Sequence, residues 1–197
     1  MIAALLLAAG SSRRMGRPKQ LLELGGKPLV RRAVEQAEAS AVGDIVVVVG
    51  PGRAAIERAL AGTRARLVDN PDHFSGMASS LRAGLRALAP EVEAAVVLLS
   101  DQPFQGPEVV DRLIQTYRAS GRPIVVPVYA GQRGNPVLFD RSLFDELAAQ
   151  QGDQGGRAVI AADPARVATV AFDSEQLQVD LDTWDDYLAA RAALGEA

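Results

Sequence analysis

The segment that follows the first apolar run carries glycines, serines and clustered cations that could bind phosphate groups. It reads Ala8-Ala9-Gly10-Ser11-Ser12-Arg13-Arg14-Met15-Gly16-Arg17-Pro18-Lys19-Gln20. Small residues leave backbone N–H groups accessible, and Lys and Arg side chains donate charge-assisted hydrogen bonds to phosphate oxygens. The segment therefore predicts a cradle for a triphosphate, with a solvated arginine-rich turn as the alternative.

Two common phosphate-binding motifs do not fit this segment. Gly16 is followed by Arg17-Pro18, where a Walker loop requires Lys and then Ser or Thr. No G-x-G-x-x-G sequence follows the first apolar run either, which disfavours a dinucleotide-binding Rossmann site.

Acidic residues follow apolar segments at two places in the second half of the chain. Asp101 comes directly after the run 95–99 and Ser100, and Asp180 and Asp182 alternate shortly before the last helical pattern. A strand would point Asp180 and Asp182 to the same side. The alternatives are structural, because Asp101 could form a turn and Asp182 or Thr183 could cap the helix.

The composition limits the kinds of site. The 197 residues contain no cysteine, which excludes disulfides, thiolate metal sites and cysteine nucleophiles. With one histidine, His73, a bound metal would have to be a hard ion held by carboxylates. The net charge of −3 gives no overall attraction to nucleic acid or anionic membranes. We interpret the apolar run 1–10 as a buried strand and expect a cytoplasmic protein without nucleic-acid or membrane partners.

Short apolar runs alternate with longer amphipathic segments along nearly the whole chain. The predicted strands cover residues 2–7, 45–49, 66–69, 95–99 and 124–128, with weaker patterns at 137–139 and 167–171. The predicted helices cover residues 28–39, 53–61, 77–88, 108–119, 142–150, 157–162 and 184–194. This alternation is typical of βαβ units around a mostly parallel sheet. We expect one three-layer, Rossmann-like α/β domain over residues 1–197.

Such a sheet would bring the candidate residues together. Right-handed crossovers place the C-terminal ends of parallel strands along one edge, where open α/β sheets bind their ligands. The phosphate-binding segment and Asp101 each follow a predicted strand. Glycine-rich stretches at 131–136 and 152–156 interrupt the alternation, and we interpret them as an inserted subregion that forms a substrate wall.

A series of short motifs, in this order, resembles the molybdenum cofactor cytidylyltransferases and the wider nucleotidyltransferase family. The motifs are Leu7-Ala8-Ala9-Gly10 through Arg14-Met15-Gly16 and Lys19; Gly76-Met77-Ala78-Ser79-Ser80-Leu81; Asp101-Gln102-Pro103; Arg133-Gly134-Asn135-Pro136; Gly152-Asp153-Gln154-Gly155-Gly156-Arg157; and Asp180-Leu181-Asp182-Thr183. The resemblance implies a nucleotidyltransferase fold and Mg²⁺-dependent transfer of CMP from CTP to the phosphate of molybdopterin. It also implies a molybdoenzyme or its chaperone as a partner.

The resemblance also implies a role for each motif. The catalytic residues would be Lys19, Arg14 and Asp101. Lys19 would lie beside the α-phosphate, and Arg14 would bind the β- and γ-phosphates. Asp101 and Asp182 would bind Mg²⁺. The other nucleotide contacts would come from Ala8, Ala9, Gly10 and Ser11 in the first loop and from Asn70, Gly76, Ser79 and Ser80 near the base and ribose. The acceptor contacts would be Asn135, Asp153 and Arg157, for which hairpin and helix-cap chemistry is the alternative.

The sequence leaves open which nucleotide and which acceptor the protein uses. Ala9 resembles the alanine found at this position in the cytidine-using branch of the family, whereas guanosine-using relatives tend to have glycine there. The alternatives are GTP, another phosphorylated acceptor, a non-catalytic cofactor carrier, or redox chemistry on another heterocycle. We interpret His73 and Trp184 as structural.

Overall fold

The computed structural model describes residues 1–10, 15–174, 177 and 179–196. The strands found there are β1 (Ile2–Ala8), β2 (Glu23–Leu24), β3 (Lys27–Pro28), β4 (Asp44–Val49), β5 (Arg66–Asp69), β6 (Ala94–Leu99), β7 (Ile124–Tyr129), β8 (Gln132–Arg133), β9 (Val137–Asp140) and β10 (Val167–Phe172). The α-helices are α1 (Leu29–Glu38), α2 (Arg53–Ala59), α3 (Met77–Ala87), α4 (Pro107–Ser120), α5 (Phe144–Ala148), α6 (Arg157–Ala162) and α7 (Trp184–Ala193).

Within this part of the chain, one eight-stranded sheet has the order β10-β7-β9-β6-β1-β4-β5, with β8 paired to β7. Strands β6, β1, β4 and β5 run parallel to one another, and β10 runs parallel to β7. Strand β9 lies antiparallel between β6 and β7. The mostly parallel sheet is thus confirmed, and β1 lies at the point where the strand order reverses, next to both β4 and β6.

Helices cover both faces of the sheet, as three layers require. Alternate residues of β1 enter two separate cores, because successive strand side chains point to opposite faces. Ala4 and Leu6 pack with α1, α2 and α4, whereas Ala3 and Leu5 pack with α3, α5 and α6. The predicted α/β class is therefore confirmed.

A third apolar cluster joins the C-terminal helix to the segment after the first loop. Its buried members are Met15, Leu22, Leu24, Leu29, Leu181, Tyr187 and Ala190. The Tyr187 hydroxyl donates to the Glu23 carbonyl at 2.5 Å, which ties α7 to the β2–β3 hairpin. Leu181 is completely buried in this cluster, so the acidic residues on either side of it are held in place.

Three local features differ from the prediction. Residues 179–183 contain no strand, so Asp180 and Asp182 do not alternate along a strand, although both line the same cleft. The predicted helix over 142–150 is a 3₁₀ turn, Arg141–Leu143, followed by α5, because the Asp140 side chain accepts from the Ser142 N–H at 2.8 Å. The short β2–β3 hairpin was not predicted. Among the described helices, none has the length and apolar character of a transmembrane span.

Candidate active site

A cleft of about 540 Å³ lies at the C-terminal edge of β1 and β6. Its walls come from the loop after β1, the start of α3, the end of β6, the loop before α6 and the segment before α7. The residues predicted from the sequence that line it are Ala9, Gly10, Lys19, Gly76, Ser80, Asp101, Asn135, Asp153, Arg157 and Asp182. The fold therefore brings most of the predicted residues to one place.

Lys19 forms the electrostatic centre of the cleft. It begins a 3₁₀ turn, Lys19–Leu21, and its Nζ lies 2.5 Å from Asp101 Oδ2 and 2.9 Å from Asp182 Oδ1. The side chains of Lys19 and Asp101 are only 16% and 18% exposed. A backbone hydrogen bond of 3.0 Å from the Leu181 N–H to the Asp101 carbonyl fixes the two acidic segments side by side.

The acidic groups keep the lysine charged. Burial alone would lower the pKa of Lys19, but the charge of Asp101 and hydrogen bonds to Asp101 and Asp182 raise it above its ordinary value. Burial also raises the pKa of Asp180, a hydrogen bond from Gln102 opposes that rise, and the charges of Asp101 and Asp182 add to it. The cleft therefore holds a cation between closely spaced carboxyl groups.

The same carboxylates fit a divalent cation. Asp101 Oδ1 is buried and has no hydrogen-bond partner among the described residues. Carboxylate oxygens are the ligands that Mg²⁺ and similar hard ions prefer. The described part of the chain contains no cluster of three or more metal-ligating side chains. A bound ion would therefore complete its coordination with water and substrate phosphate oxygens, as Mg²⁺ sites in phosphoryl-transfer proteins commonly do.

Gln20 connects the two flanks of the first loop and was not singled out from the sequence. Its buried Nε2 donates to the carbonyls of Ala8 and Gly10 at 2.7 and 2.9 Å. These bonds join the residue after the loop to the residues before it, beside the cleft. Ala8 is the buried last residue of β1 and lies outside the cleft lining, whereas the predicted phosphate contacts Ser11 and Arg14 lie outside the described residues.

His73 and Phe74 form the wall beside the first loop. They lie in a 3₁₀ turn, His73–Ser75, with ring centroids 3.8 Å apart, and both line the cleft. Phe74 is 73% exposed. The Nε2 atom of His73 is buried without a hydrogen-bond partner in the described part of the structure. The structure thus places His73, to which the sequence alone gives no reason to assign a function, at the cleft.

Asn70 and Ser79 support this wall from behind and do not line the cleft. The buried Asn70 amide donates to Ser79 Oγ at 2.8 Å and to Ser80 Oγ at 3.0 Å. Gly76 precedes α3 with a φ of 91°, and a Cβ there would lie 2.5 Å from the Gly152 carbonyl carbon. Only glycine fits this close approach between the two walls.

The loop before α6 caps the start of α3. Asp153 Oδ1 accepts from the Met77 N–H at 3.2 Å, and the Gly152 carbonyl accepts from the Ala78 N–H at 3.0 Å. These bonds occupy the backbone N–H groups of Met77 and Ala78 at the start of α3. They also show that the helix-cap alternative for Asp153 is realised, even though Asp153 lines the cleft.

Two buried glutamines connect the backbone at Asn135 to the acidic segment around Asp180. Gln102 donates to Asp180 Oδ1 at 2.6 Å, and Gln105 donates to Gln102 Oε1 at 2.7 Å and to the Asn135 carbonyl at 2.8 Å. The Tyr129 hydroxyl donates to the same carbonyl at 2.7 Å. The backbone at Asn135 is therefore fixed relative to the carboxylates, a role for glutamine that no sequence motif indicated.

Comparison with known proteins identifies the family. The profile described as "MobA-like NTP transferase domain" matches residues 4–168. The chain belongs to this family. It is accordingly a nucleotidyltransferase, and the predicted nucleotidyltransferase activity is confirmed at this level.

One protein and two solved structures are similar to this MobA-like transferase over nearly its full length. Nicotine blue oxidoreductase of Paenarthrobacter nicotinovorans is 33% identical over 191 residues, which cover 92% of each chain. The structure of Rv0371c from Mycobacterium tuberculosis H37Rv is 31% identical, with a TM-score of 0.87 and 97% of each chain covered. A structure of Rv0371C in complex with manganese is 29% identical, with a TM-score of 0.81 and 98% of each chain covered.

Proposed function

We propose that this transferase moves CMP from CTP to the phosphate of molybdopterin and releases pyrophosphate. One observation carries this proposal: the Lys19 ammonium, just after the first loop, contacts both Asp101 and Asp182. A cation and two carboxylates at this position are suited to a reaction between two anionic phosphates. No protein nucleophile is required for direct transfer.

The reaction is an in-line displacement at the α-phosphorus of the nucleotide. An oxygen of the acceptor phosphate bonds to that phosphorus, the bond to the β-phosphate oxygen breaks, and pyrophosphate leaves with the electron pair. Lys19 moves toward the α-phosphate and stabilises the charge that builds there. Backbone N–H groups of Ala9 and Gly10, together with Arg14, bind the triphosphate. A divalent cation held by Asp101 and Asp182 would reduce the repulsion between the two phosphates.

We propose Mg²⁺ as the cation. The donor set of Asp101 and Asp182 supports a hard divalent ion. The manganese complex of Rv0371C supports the same class of ion, because that protein shares the fold over 98% of its length.

The proposed preference for CTP rests on Ala9, where guanosine-using relatives tend to have glycine. Ala9 lines the cleft, and an added methyl in this loop would favour a pyrimidine over a purine. A Cβ at Gly50 would lie 3.0 Å from the Ala9 carbonyl oxygen and 3.4 Å from His73 Cγ, so Gly50 lies between the first loop and the His73 ring. One methyl contributes only about 1 kcal/mol, so we propose that the His73 wall shares the selection.

Pyrophosphate release tests the function directly. Each of the four NTPs is supplied with the Mg²⁺-loaded protein, with and without molybdopterin. The proposal requires release with CTP that depends on molybdopterin. Release with GTP instead of CTP would change the assigned nucleotide. Release that depends on a sugar phosphate would change the assigned acceptor. Tight molybdopterin binding without release would identify a carrier.

A second candidate function follows from the 33% identical relative, which is named an oxidoreductase. In that case the cleft would bind a heterocycle and a diffusible electron donor. The sequence lacks a G-x-G-x-x-G motif after β1 for a bound dinucleotide, so we rank this function second. Oxidation of a nicotinamide cofactor in the presence of a heteroaromatic dye, with no pyrophosphate release under any condition, would rank the oxidoreductase function above nucleotidyl transfer.

A further inference from the structure

Gln20 carries a buried amide at the base of the first loop. Only 5% of the residue is exposed, although it lies in the wall of the cleft. Its Nε2 donates to the carbonyls of Ala8 and Gly10, which lie 12 and 10 residues earlier in the chain. A carbonyl oxygen accepts hydrogen bonds and cannot donate them, so both contacts require the NH₂ end of the amide. The orientation of the Gln20 side chain is therefore fixed by the loop carbonyls.

The 3₁₀ turn that carries Gln20 is anchored by its apolar residues. Leu22 is buried in the third apolar cluster, and Leu21 packs against the core on one face of the sheet. The Leu22 N–H donates to the Lys19 carbonyl at 3.0 Å, and the Leu29 N–H donates to the Leu22 carbonyl at 2.9 Å. These contacts do not involve the first loop. The backbone of Gln20 is therefore held independently of the loop that its side chain contacts.

The same turn directs Lys19 toward the carboxylates. A 3₁₀ helix has three residues per turn, so neighbouring side chains differ in direction by about 120°. Lys19 contacts Asp101 and Asp182, whereas Gln20 contacts the base of the first loop. One short turn therefore connects the loop proposed to bind the triphosphate to the cation proposed to stabilise the α-phosphate.

The two hydrogen bonds constrain the direction of the peptide groups at the loop base. A trans peptide is planar, and its N–H points opposite to its C=O. The peptide between Ala8 and Ala9 is trans, so a carbonyl held by Gln20 turns the Ala9 N–H away from Gln20. A Cβ at Gly10 would meet no atom within 4 Å, so the chain there has open space beside it. Backbone N–H groups bind an anion when they are aimed at it, which makes their direction important for phosphate binding.

We propose that Gln20 is a positioning residue for the triphosphate. By holding the carbonyls of Ala8 and Gly10, it keeps the N–H groups of the first loop directed at the phosphates. Without the amide, these peptide groups could turn and present carbonyl oxygens, which repel phosphate. This inference rests on the proposed function, because it concerns the nucleotide loop of that reaction, but it does not depend on which base or acceptor is used.

A Gln20→Met variant tests this role, because methionine is also unbranched and flexible but donates no hydrogen bond. Calorimetry with inorganic triphosphate and Mg²⁺ measures binding to the loop without a base or an acceptor. We expect the Kd to rise about ten- to a hundredfold, the effect of losing one charge-assisted hydrogen bond. Equal triphosphate binding by the variant and the unmodified protein, or none by the unmodified protein, would overturn the proposal.

Two controls separate positioning of the loop from damage to the whole cleft. The Kd for Mn²⁺ alone, measured by electron paramagnetic resonance, should stay within about twofold in Gln20→Met, because the proposed metal ligands lie on other segments. A larger change would show that the variant disturbs the carboxylates, and would refute a role limited to the loop. Gln36→Met removes a glutamine that donates to the Pro103 carbonyl at 3.2 Å, outside the cleft lining. It should leave triphosphate binding unchanged, and a loss equal to that of Gln20→Met would also refute the role.

NMR of the Gln20 side-chain amide tests the proposal without a variant. In isotope-labelled unmodified protein, the two amide protons should exchange slowly with solvent and stay protected when triphosphate is bound. Rapid exchange in the bound state would overturn the proposal, because the carbonyls would then have been released. The proposed function fails differently: absence of pyrophosphate release with every NTP, alongside triphosphate binding that depends on Gln20, would refute the transfer reaction and keep the loop role.

Discussion

Replacing Lys19 with glutamine should increase the affinity of the nucleotide-free protein for Mn²⁺. The Lys19 ammonium lies 2.5 and 2.9 Å from oxygens of Asp101 and Asp182, the carboxylates proposed to bind the metal. A divalent ion on these oxygens must therefore compete with the ammonium, or push it aside. Glutamine keeps most of the side-chain length but removes the positive charge.

The size of the effect follows from Coulomb's law. An ion coordinated by the two carboxylates, at about 2.1 Å from each oxygen, would lie roughly 4 Å from the ammonium nitrogen. The repulsion between charges of +2 and +1 at that distance is about 2 kcal/mol in water and about 8 kcal/mol at an effective dielectric constant of 20. Because the lysine side chain can rotate away, we take the lower value. It corresponds to about a thirtyfold tighter Kd for Mn²⁺ in Lys19→Gln.

Electron paramagnetic resonance of unbound Mn²⁺ measures this Kd directly. The matched control is Lys27→Gln, since Lys27 pairs with Glu35 on the surface at 2.6 Å and does not line the cleft. A combined Lys19→Gln/Asp101→Asn variant should lose the gain, because it removes a proposed ligand. Unchanged or weaker Mn²⁺ binding in Lys19→Gln would show that Asp101 and Asp182 serve only as partners of the lysine.

The remaining predictions concern catalysis and selectivity. Asp101→Asn and Asp182→Asn should each abolish divalent-ion-dependent pyrophosphate release, and near-normal turnover in Asp101→Asn would contradict the metal assignment. Lys19→Ala should lower kcat by about 10²–10³ with CTP affinity close to normal, so an effect on KM alone would argue against transition-state stabilisation. Ala9→Gly should raise the use of GTP relative to CTP, and competition kinetics with both nucleotides measure the ratio. Arg157→Ala should lower kcat/KM for the acceptor about ten- to a hundredfold without changing CTP affinity measured by calorimetry, whereas lost CTP binding would assign Arg157 to the nucleotide.

The periodicity of the sequence was sufficient for the elements that carry the site. Apolar runs of strand length, separated by amphipathic segments, predicted β1, β4, β5 and β6 to within one residue at each end. The position of Asp101 just after β6 then placed it at the ligand-binding edge. The neighbouring position of Asp182 came from the family resemblance, because the segment around it is not a strand. Burial of Leu181 in a separate apolar cluster, together with its backbone hydrogen bond to Asp101, holds Asp180 and Asp182 in place without a strand.

Long-range polar contacts could not be predicted from one sequence. Gln102 lies 78 residues from its partner Asp180, and Gln105 lies 30 residues from Asn135, so no local spacing relates the pairs. Isolated glutamines give no periodic signal, and their role depends on burial. The antiparallel direction of strand β9 was also unpredicted, since the three-residue apolar run 137–139 looks the same in either orientation.

The apolar cluster around Tyr187 and Leu181 has a consequence for how the protein folds on the ribosome. Lys19 meets Asp182 across 163 residues, and the Tyr187 hydroxyl meets the Glu23 carbonyl across 164 residues. Synthesis proceeds from the N-terminus, and contacts of such high sequence separation form late. The sheet from β1 to β10 can therefore assemble before the segment that supplies Asp182 emerges. We expect the nascent chain to lack the full charge arrangement of the cleft until α7 has docked.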